Sequence, residues 1–194
     1  MTSKSVLITG CSTGGIGASI AKSFQNRGYL VFATARNLSK LPHELVSSQN
    51  VETITLDVTS SSSIAAAVEV VSKRTGGKLD VLVNNSGAGY TSPGLDVDID
   101  KAKALYDVNF WGVLAMTQAF APMLIKAKGT VVNISSISGS LYDGYACKYH
   151  LFPYRTWLAE TIYSPAWFSK LLEESIDSLS NIKPQQSMGP PKLP

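Results

Sequence analysis

A glycine-rich turn set between a short apolar run and a helix-period segment constrains this chain more than any other feature. The run Val6-Leu7-Ile8 stops at Thr9-Gly-Cys-Ser-Thr-Gly-Gly-Ile-Gly17, and Ile16, Ile20 and Phe24 then recur at helical spacing. A second apolar run, Leu30-Val-Phe-Ala33, follows Gly28-Tyr29. Strand, turn, helix and strand in that order open a βαβ unit. In such a unit the turn glycines let backbone approach a pyrophosphate, and the helix N-terminus offers it unpaired N–H groups and a partial positive charge. Gly10, Ser12, Gly15, Ile16 and Gly17 are the positions expected to meet those phosphates. A glycine turn without a ligand is the plain alternative, because glycines also serve ordinary turns. A P-loop is excluded, since no Gly-Lys-Ser/Thr ending follows Gly15.

The end of the second strand discriminates between dinucleotides. An acidic residue there bonds the ribose 2′-OH of NAD, whereas an arginine accommodates the 2′-phosphate of NADP. This chain reads Ala33-Thr34-Ala35-Arg36, with Lys40 shortly beyond and no acid between them. A guanidinium suits a phosphate and offers a free 2′-OH no acceptor, so the expectation is NADP. The plain alternative is a solvated surface arginine.

Further strands alternate with helices. Val51-Glu-Thr-Ile-Thr-Leu56 alternates apolar and polar as a third strand and ends at Asp57-Val58. Asp57 is placed to face an adenine amino group or simply to cap the loop. The run Ser60-Ser-Ser-Ser63 starts a helix carrying Ile64, Val68 and Val71, which Gly76-Gly77 breaks. Leu79-Asp-Val-Leu-Val83 gives a fourth strand, closing in Asn84-Asn-Ser-Gly-Ala-Gly89; there Asn84 is expected beside the cofactor and Gly87 permits close approach. A long helix is predicted over 100–126, with Leu105, Val108, Gly112, Ala115 and Ala119 on one face and Asn109 among apolar neighbours. Thr130-Val-Val-Asn-Ile134 is the fifth strand and ends in Ser135-Ser-Ile-Ser-Gly139. Five strands alternating with helices define an α/β, doubly wound parallel sheet of Rossmann-like type.

A length of 194 residues suits one such domain. A net charge of +3 with scattered basic residues leaves no nucleic-acid footprint. Cys11 and Cys147 make neither a disulfide framework nor a metal-ligand spacing, so no metal is expected. Cys11 reads as a small filler of the turn. No run of about eighteen apolar residues occurs, so no membrane span is expected. The N-terminus leaves no room for a signal peptide before the first strand. The cytoplasm is the default location, with peripheral membrane attachment left open.

Thr9-Gly10 to Gly17, Asp57-Val58, Asn84-Asn-Ser-Gly87, Asn109 and Asn133-Ile-Ser-Ser-Ile-Ser-Gly139 together resemble the classical short-chain dehydrogenases/reductases, in that family's order and spacing over residues 5–140. The loop is one residue longer than the family's commonest form. With Ala35-Arg36 it looks most like the fungal branch related to NADPH-dependent 1-acyldihydroxyacetone phosphate reductases. The resemblance implies hydride transfer between NADP(H) and a small-molecule carbonyl or alcohol, in lipid or specialised metabolism, and assembly as a homo-oligomer. It maps the serine that polarises the substrate oxygen to Ser136 and the helix asparagine of a water relay to Asn109. It also implies a tyrosine that delivers the proton, with a lysine four residues later lowering its pKa. That cation is needed because a phenol with a pKa near 10 is a poor base at neutral pH.

The chain departs from the family at that pair. The family's spacing of about thirteen residues beyond Ser136 reaches Tyr149, but the fourth residue on is Pro153. Tyr145-Ala-Cys-Lys148 offers a lysine at i+3 instead, with the tyrosine too close to the serine. Beyond about residue 140 the family's later strands are missing and the chain reads as truncated or altered there, through a frame shift, retained intron or altered splice. Residues 1–140 are expected to form the dinucleotide-binding domain. Residues 141–183 are expected to form an atypical helical segment, with Ser164-Pro165 starting a helix, and residues 184–194 a disordered tail. The expected activity is an NADP(H)-dependent short-chain oxidoreductase, with Ser136, Asn109 and Tyr149 as catalytic candidates. The rival is a catalytically silent NADP-binding or interaction protein, favoured by the absent tyrosine-lysine pair. A nucleotide-fold methyltransferase is disfavoured, since Arg36 stands where such sites place an acid.

Overall fold

The computed structural model describes residues 3–90, 92 and 94–135. The expected helical segment over 141–183, the tail over 184–194, and Ser136 and Tyr149 lie outside the described residues. In chain order the elements are β1 (Ser5–Ile8), α1 (Ile16–Asn26), β2 (Leu30–Ala35), a 3-10 turn (Leu38–Lys40), α2 (His43–Val46) and β3 (Val51–Thr55). There follow α3 (Ser61–Thr75), β4 (Val81–Asn84), a 3-10 turn (Gly94–Asp96), α4 (Ile99–Tyr106), a π-helical turn (Asp107–Trp111), α5 (Gly112–Ala127) and β5 (Thr130–Asn133).

The strands form one sheet in the order β3-β2-β1-β4-β5, every pair parallel. Winding runs outward from β1 through β2 to β3, then returns to the other side of β1 for β4 and β5. The reversal between β1 and β4 opens a crevice at the strands' carboxyl ends, where α/β sheets place their ligands. This is the doubly wound, Rossmann-like sheet expected from the sequence.

Parallel strands covered on both faces read as continuous apolar runs, and alternate residues divide between two cores. Val6, Ile8, Val31 and Ala33 pack with Ile20, Ala21 and Phe24 of α1 and with Leu41 and Leu45. Leu7, Phe32, Ile54 and Leu82 pack on the opposite face with Ile64, Ala67 and Val71 of α3 and Met116, Phe120 and Leu124 of α5. Ser60 caps α3, its side chain accepting from Ser63 N, and Gly76 closes that helix at a φ of 65°.

Two departures from expectation have identifiable reasons. The fourth strand begins at Val81 rather than Leu79, because Asp80 Oδ2 accepts hydrogen bonds from Ser5 N (2.8 Å) and Ser5 Oγ (3.1 Å). The long helix is interrupted at Asp107–Trp111 by a π turn. An i→i+5 turn takes up about one residue more than an α turn and moves the side chains beyond it around the axis. The fully buried positions of α5 are consequently Met116 and Phe120, one step on from Ala115 and Ala119, which are only partly buried.

By length and composition alone, the 29-residue stretch Ile99–Ala127 is apolar enough to cross a membrane, although polar residues interrupt it so that no apolar run of about eighteen residues forms. The same composition is what a helix needs in order to pack on a sheet. Met116 and Phe120 are wholly buried against Leu7, Phe32 and Leu82.

Candidate functional site

The turn after β1 is built on glycine conformations. Gly10 and Gly14 have φ of 74° and 77°, where a side chain is strained, and a Cβ at Gly14 would meet nothing within 4 Å. Gly15 precedes α1 in extended conformation, and no side chain caps that helix. The N–H groups of Ile16, Gly17 and Ala18 therefore find no acceptor among the described residues. Three open donors and the helix dipole form an anion-binding geometry at the mouth of the crevice. A Cβ at Gly17 would strike Asn85 Nδ2 and Gly10 O, so this end of the helix lies hard against the turn and the end of β4. Ser12 is half-buried, and its carbonyl accepts from Gly15 N at 3.0 Å.

Thr9 joins the two walls of the crevice. Its hydroxyl oxygen accepts from Asn85 N (2.9 Å) and Ser86 N (2.8 Å) and donates to Val83 O (3.4 Å). Asn85 completes the clamp, its Nδ2 donating to Thr9 O (2.8 Å) and Gly10 O (3.0 Å). Of the two adjacent amides it is Asn85 that holds the phosphate turn. Asn84 points elsewhere: its Nδ2 donates to Asn133 Oδ1 (2.9 Å) and Thr117 Oγ1 (3.3 Å), and only 3% of the residue is exposed. Its side chain braces β4 to β5 and α5. The sequence alone does not single out Thr9 or Asn85 for this role. The legible signal was a hydroxyl and a second amide at the ends of two otherwise apolar strands, where buried polar groups must have partners.

Asn109 sits in the π turn, 5% exposed. Its Nδ2 donates to Ala88 O (2.8 Å) and its Oδ1 accepts from Ala88 N (2.9 Å). The carboxamide thus pairs with one backbone unit as a neighbouring strand would, and it fixes the turn that follows β4.

At the tip of β2, Ala35 is buried and Arg36 exposed; the guanidinium makes no hydrogen bond or ion pair among the described residues. Lys40 is also exposed, four residues on. Asp57 Oδ1 accepts from Thr59 N (2.9 Å) and Thr59 Oγ1 (2.7 Å), which is the loop-capping arrangement. Those two bonds hold the carboxyl below the usual range, and the Arg36 charge lowers it further. Cys11 is wholly buried, and desolvation pushes its thiol up to about 12.

Ser136 and Tyr149, with Tyr145, Lys148 and Pro153, lie outside the described residues. The description stops at Ser135, beside the crevice, where Ile134 N donates to Asn84 O at 2.9 Å. Among the described residues no cluster of three or more His, Cys, Asp or Glu side chains could hold a metal ion.

A sequence model of the family described as short chain dehydrogenase matches residues 4–150. The chain is 53% identical over 146 residues to the short-chain dehydrogenase cctT of Talaromyces islandicus, covering 75% of this chain and 51% of that protein. It is 43% identical over 134 residues to the NADPH-dependent 1-acyldihydroxyacetone phosphate reductase of Schizosaccharomyces pombe, covering 69% of this chain and 45% of that one. The chain spans about half the length of these curated relatives. Among solved structures, NADPH-bound carbonyl reductase from chicken fatty liver superposes with a TM-score of 0.67 at 30% identity, covering 77% of this chain and 66% of that one. The family match takes in the glycine turn, both crevice asparagines, Asn109 and all five strands of the described sheet. On that ground the chain belongs to the short-chain dehydrogenase family.

Proposed function

We propose that this chain binds NADP(H) across the carboxyl edge of its sheet and acts as an oxidoreductase on a carbonyl or alcohol. The observation that carries the reading is the pairing of an uncapped α1 N-terminus with an exposed guanidinium at the next strand's tip, which makes no hydrogen bond among the described residues. The donor set fits a phosphorylated dinucleotide. The N–H groups of Ile16, Gly17 and Ala18 suit the pyrophosphate, and the open space over Gly14 lets it approach backbone. Arg36, with Lys40, suits a 2′-phosphate. The NADPH dependence named for the fission-yeast relative and the NADPH bound to the chicken reductase support the same choice.

When bound, the nicotinamide supplies or accepts the hydride. Asp57 lies at the end of β3 for the adenine side, with one carboxylate oxygen already spent on Thr59. Asn109 fixes the turn after β4 and so shapes the wall beside the reacting ring. Ser136 is assigned to polarising the substrate oxygen and Tyr149 to carrying the proton. The second reading, binding without turnover, is favoured by Pro153 standing where the family has the lysine that lowers the tyrosine's pKa.

The expected result is that NADPH raises the melting temperature more than NADH and that Arg36→Asp narrows or reverses the preference. Equal shifts from both coenzymes would overturn the assignment. For turnover, Ser136→Ala should abolish NADPH oxidation in the presence of carbonyl substrates, and unchanged oxidation would remove Ser136 from the site. A wild-type chain that binds NADPH yet oxidises none with such substrates would establish the second reading.

A further inference from the structure

The two phosphate-binding elements of this site come from separate segments, the turn before α1 and the turn after β2. Among the described residues, the hydrogen bonds that join Cys11–Gly15 to residues 36–40 all converge on one atom. Thr13 N donates to Lys40 O at 2.8 Å, and Thr13 Oγ1 donates to the same carbonyl at 2.9 Å. Thr13 is exposed, so its hydroxyl is spent on protein where water was available.

The segment it grips is internally ordered. Asn37 Oδ1 accepts from Ser39 N (2.9 Å) and Ser39 Oγ (2.8 Å), Lys40 N donates to Asn37 O (3.1 Å), and Leu41 is buried just beyond. Residues 37–40 are therefore braced as one turn; its Arg36 end is set by β2, where Cys11 N donates to Thr34 O (2.8 Å) and Leu56 N to Ala35 O (3.0 Å), and Thr13 ties its Lys40 end to the phosphate turn. We infer that Thr13 is a specificity-determining positioning residue: its two hydrogen bonds to the Lys40 carbonyl hold the 37–40 turn, and with it Lys40, against the α1 N-terminus beside the β2-anchored Arg36, preorganised for the 2′-phosphate. This rests on the NADP(H) reading proposed above. A dinucleotide bearing a 2′-phosphate must bridge both elements, and ordering the turn in advance removes an entropic cost of binding it. NADH makes no use of Arg36 or Lys40 and gains nothing from their placement.

The test is calorimetric titration of the full chain and its variants with NADPH, NADH and adenosine 2′,5′-bisphosphate. Thr13→Val keeps the β-branched shape and the backbone N–H but removes the hydroxyl, and Thr13→Ala does the same with less bulk. Loss of one such bond should weaken NADPH and the bisphosphate about three- to ten-fold in both variants, with NADH changed by less than about two-fold. Thr13→Ser should restore wild-type affinity, and the melting temperatures of the unliganded variants should stay close to wild type. Equal losses for NADPH and NADH, no loss at all, or failure of the serine variant to restore affinity would overturn the inference. If wild type itself prefers NADH or binds neither coenzyme, the NADP(H) reading falls and the inference with it. If wild type prefers NADPH and Thr13→Val keeps the full preference, only the inference falls.

Discussion

Cys11 lies within the phosphate turn, yet its surroundings disarm it. The residue is fully buried, its Sγ lies 3.4 Å from Ile8 O, and desolvation pushes the thiol up to about 12, so almost no thiolate exists near neutrality. Treatment of the native protein with iodoacetamide at pH 8, followed by peptide mapping, should leave Cys11 unmodified, whereas the denatured chain should be labelled there. Labelling at a free thiol's rate in the native state would contradict this. The small-filler role was legible because an apolar turn position next to glycines favours a compact side chain. For Asn109 the need of a partner was legible, but the partner was not. Its carboxamide pairs with the backbone of Ala88, twenty-one residues earlier, and no local pattern encodes a contact that the sheet's winding creates. Asn84 and Asn85 are adjacent, and alternation of side chains along an extended chain sends their amides to opposite tasks. Which amide would hold the phosphate turn depended on where β1 lay, and only the folded sheet supplies that.

At the scale of elements, α1 owes its place to Gly17. The Cβ of any larger residue would run into Gly10 O, which is backbone and cannot swing away, and into Asn85 Nδ2, which is already committed to Thr9 and Gly10. Gly17→Ala should destabilise the protein by about 1–3 kcal/mol through overpacking, read as a lower urea midpoint at unchanged slope. It should also weaken NADPH binding, because the helix can yield only by moving its open N–H groups. An unchanged midpoint would show that the close approach is not tight. Helix existence and the serine cap of α3 were legible from periodicity and capping chemistry. The face of α5 was displaced because the π turn at Asp107–Trp111 shifts the helical phase, and a constant 3.6-residue period cannot register such a shift.

At the scale of the whole molecule, strand order is what turns scattered motifs into a site. With β1 central and β4 its neighbour on one side and β2 on the other, the glycine turn, the paired asparagines and Arg36 all end at one edge of the sheet. Alternation of strands and helices made the parallel sheet legible, and the reversal beside β1 follows from the doubly wound class. Ser136 and Tyr149, which the family resemblance implies for the catalytic side, lie outside the described residues. The account's central claim is that the crevice holds a dinucleotide and that Arg36 selects the phosphorylated one. Titrating the folded, purified chain with NADPH and with NADH in a calorimeter tests it most directly. The account predicts one saturable site, tighter for NADPH by about ten-fold or more, as a charge-assisted phosphate contact requires. Circular dichroism of a folded chain together with no binding of either coenzyme, or with tighter binding of NADH, would contradict it.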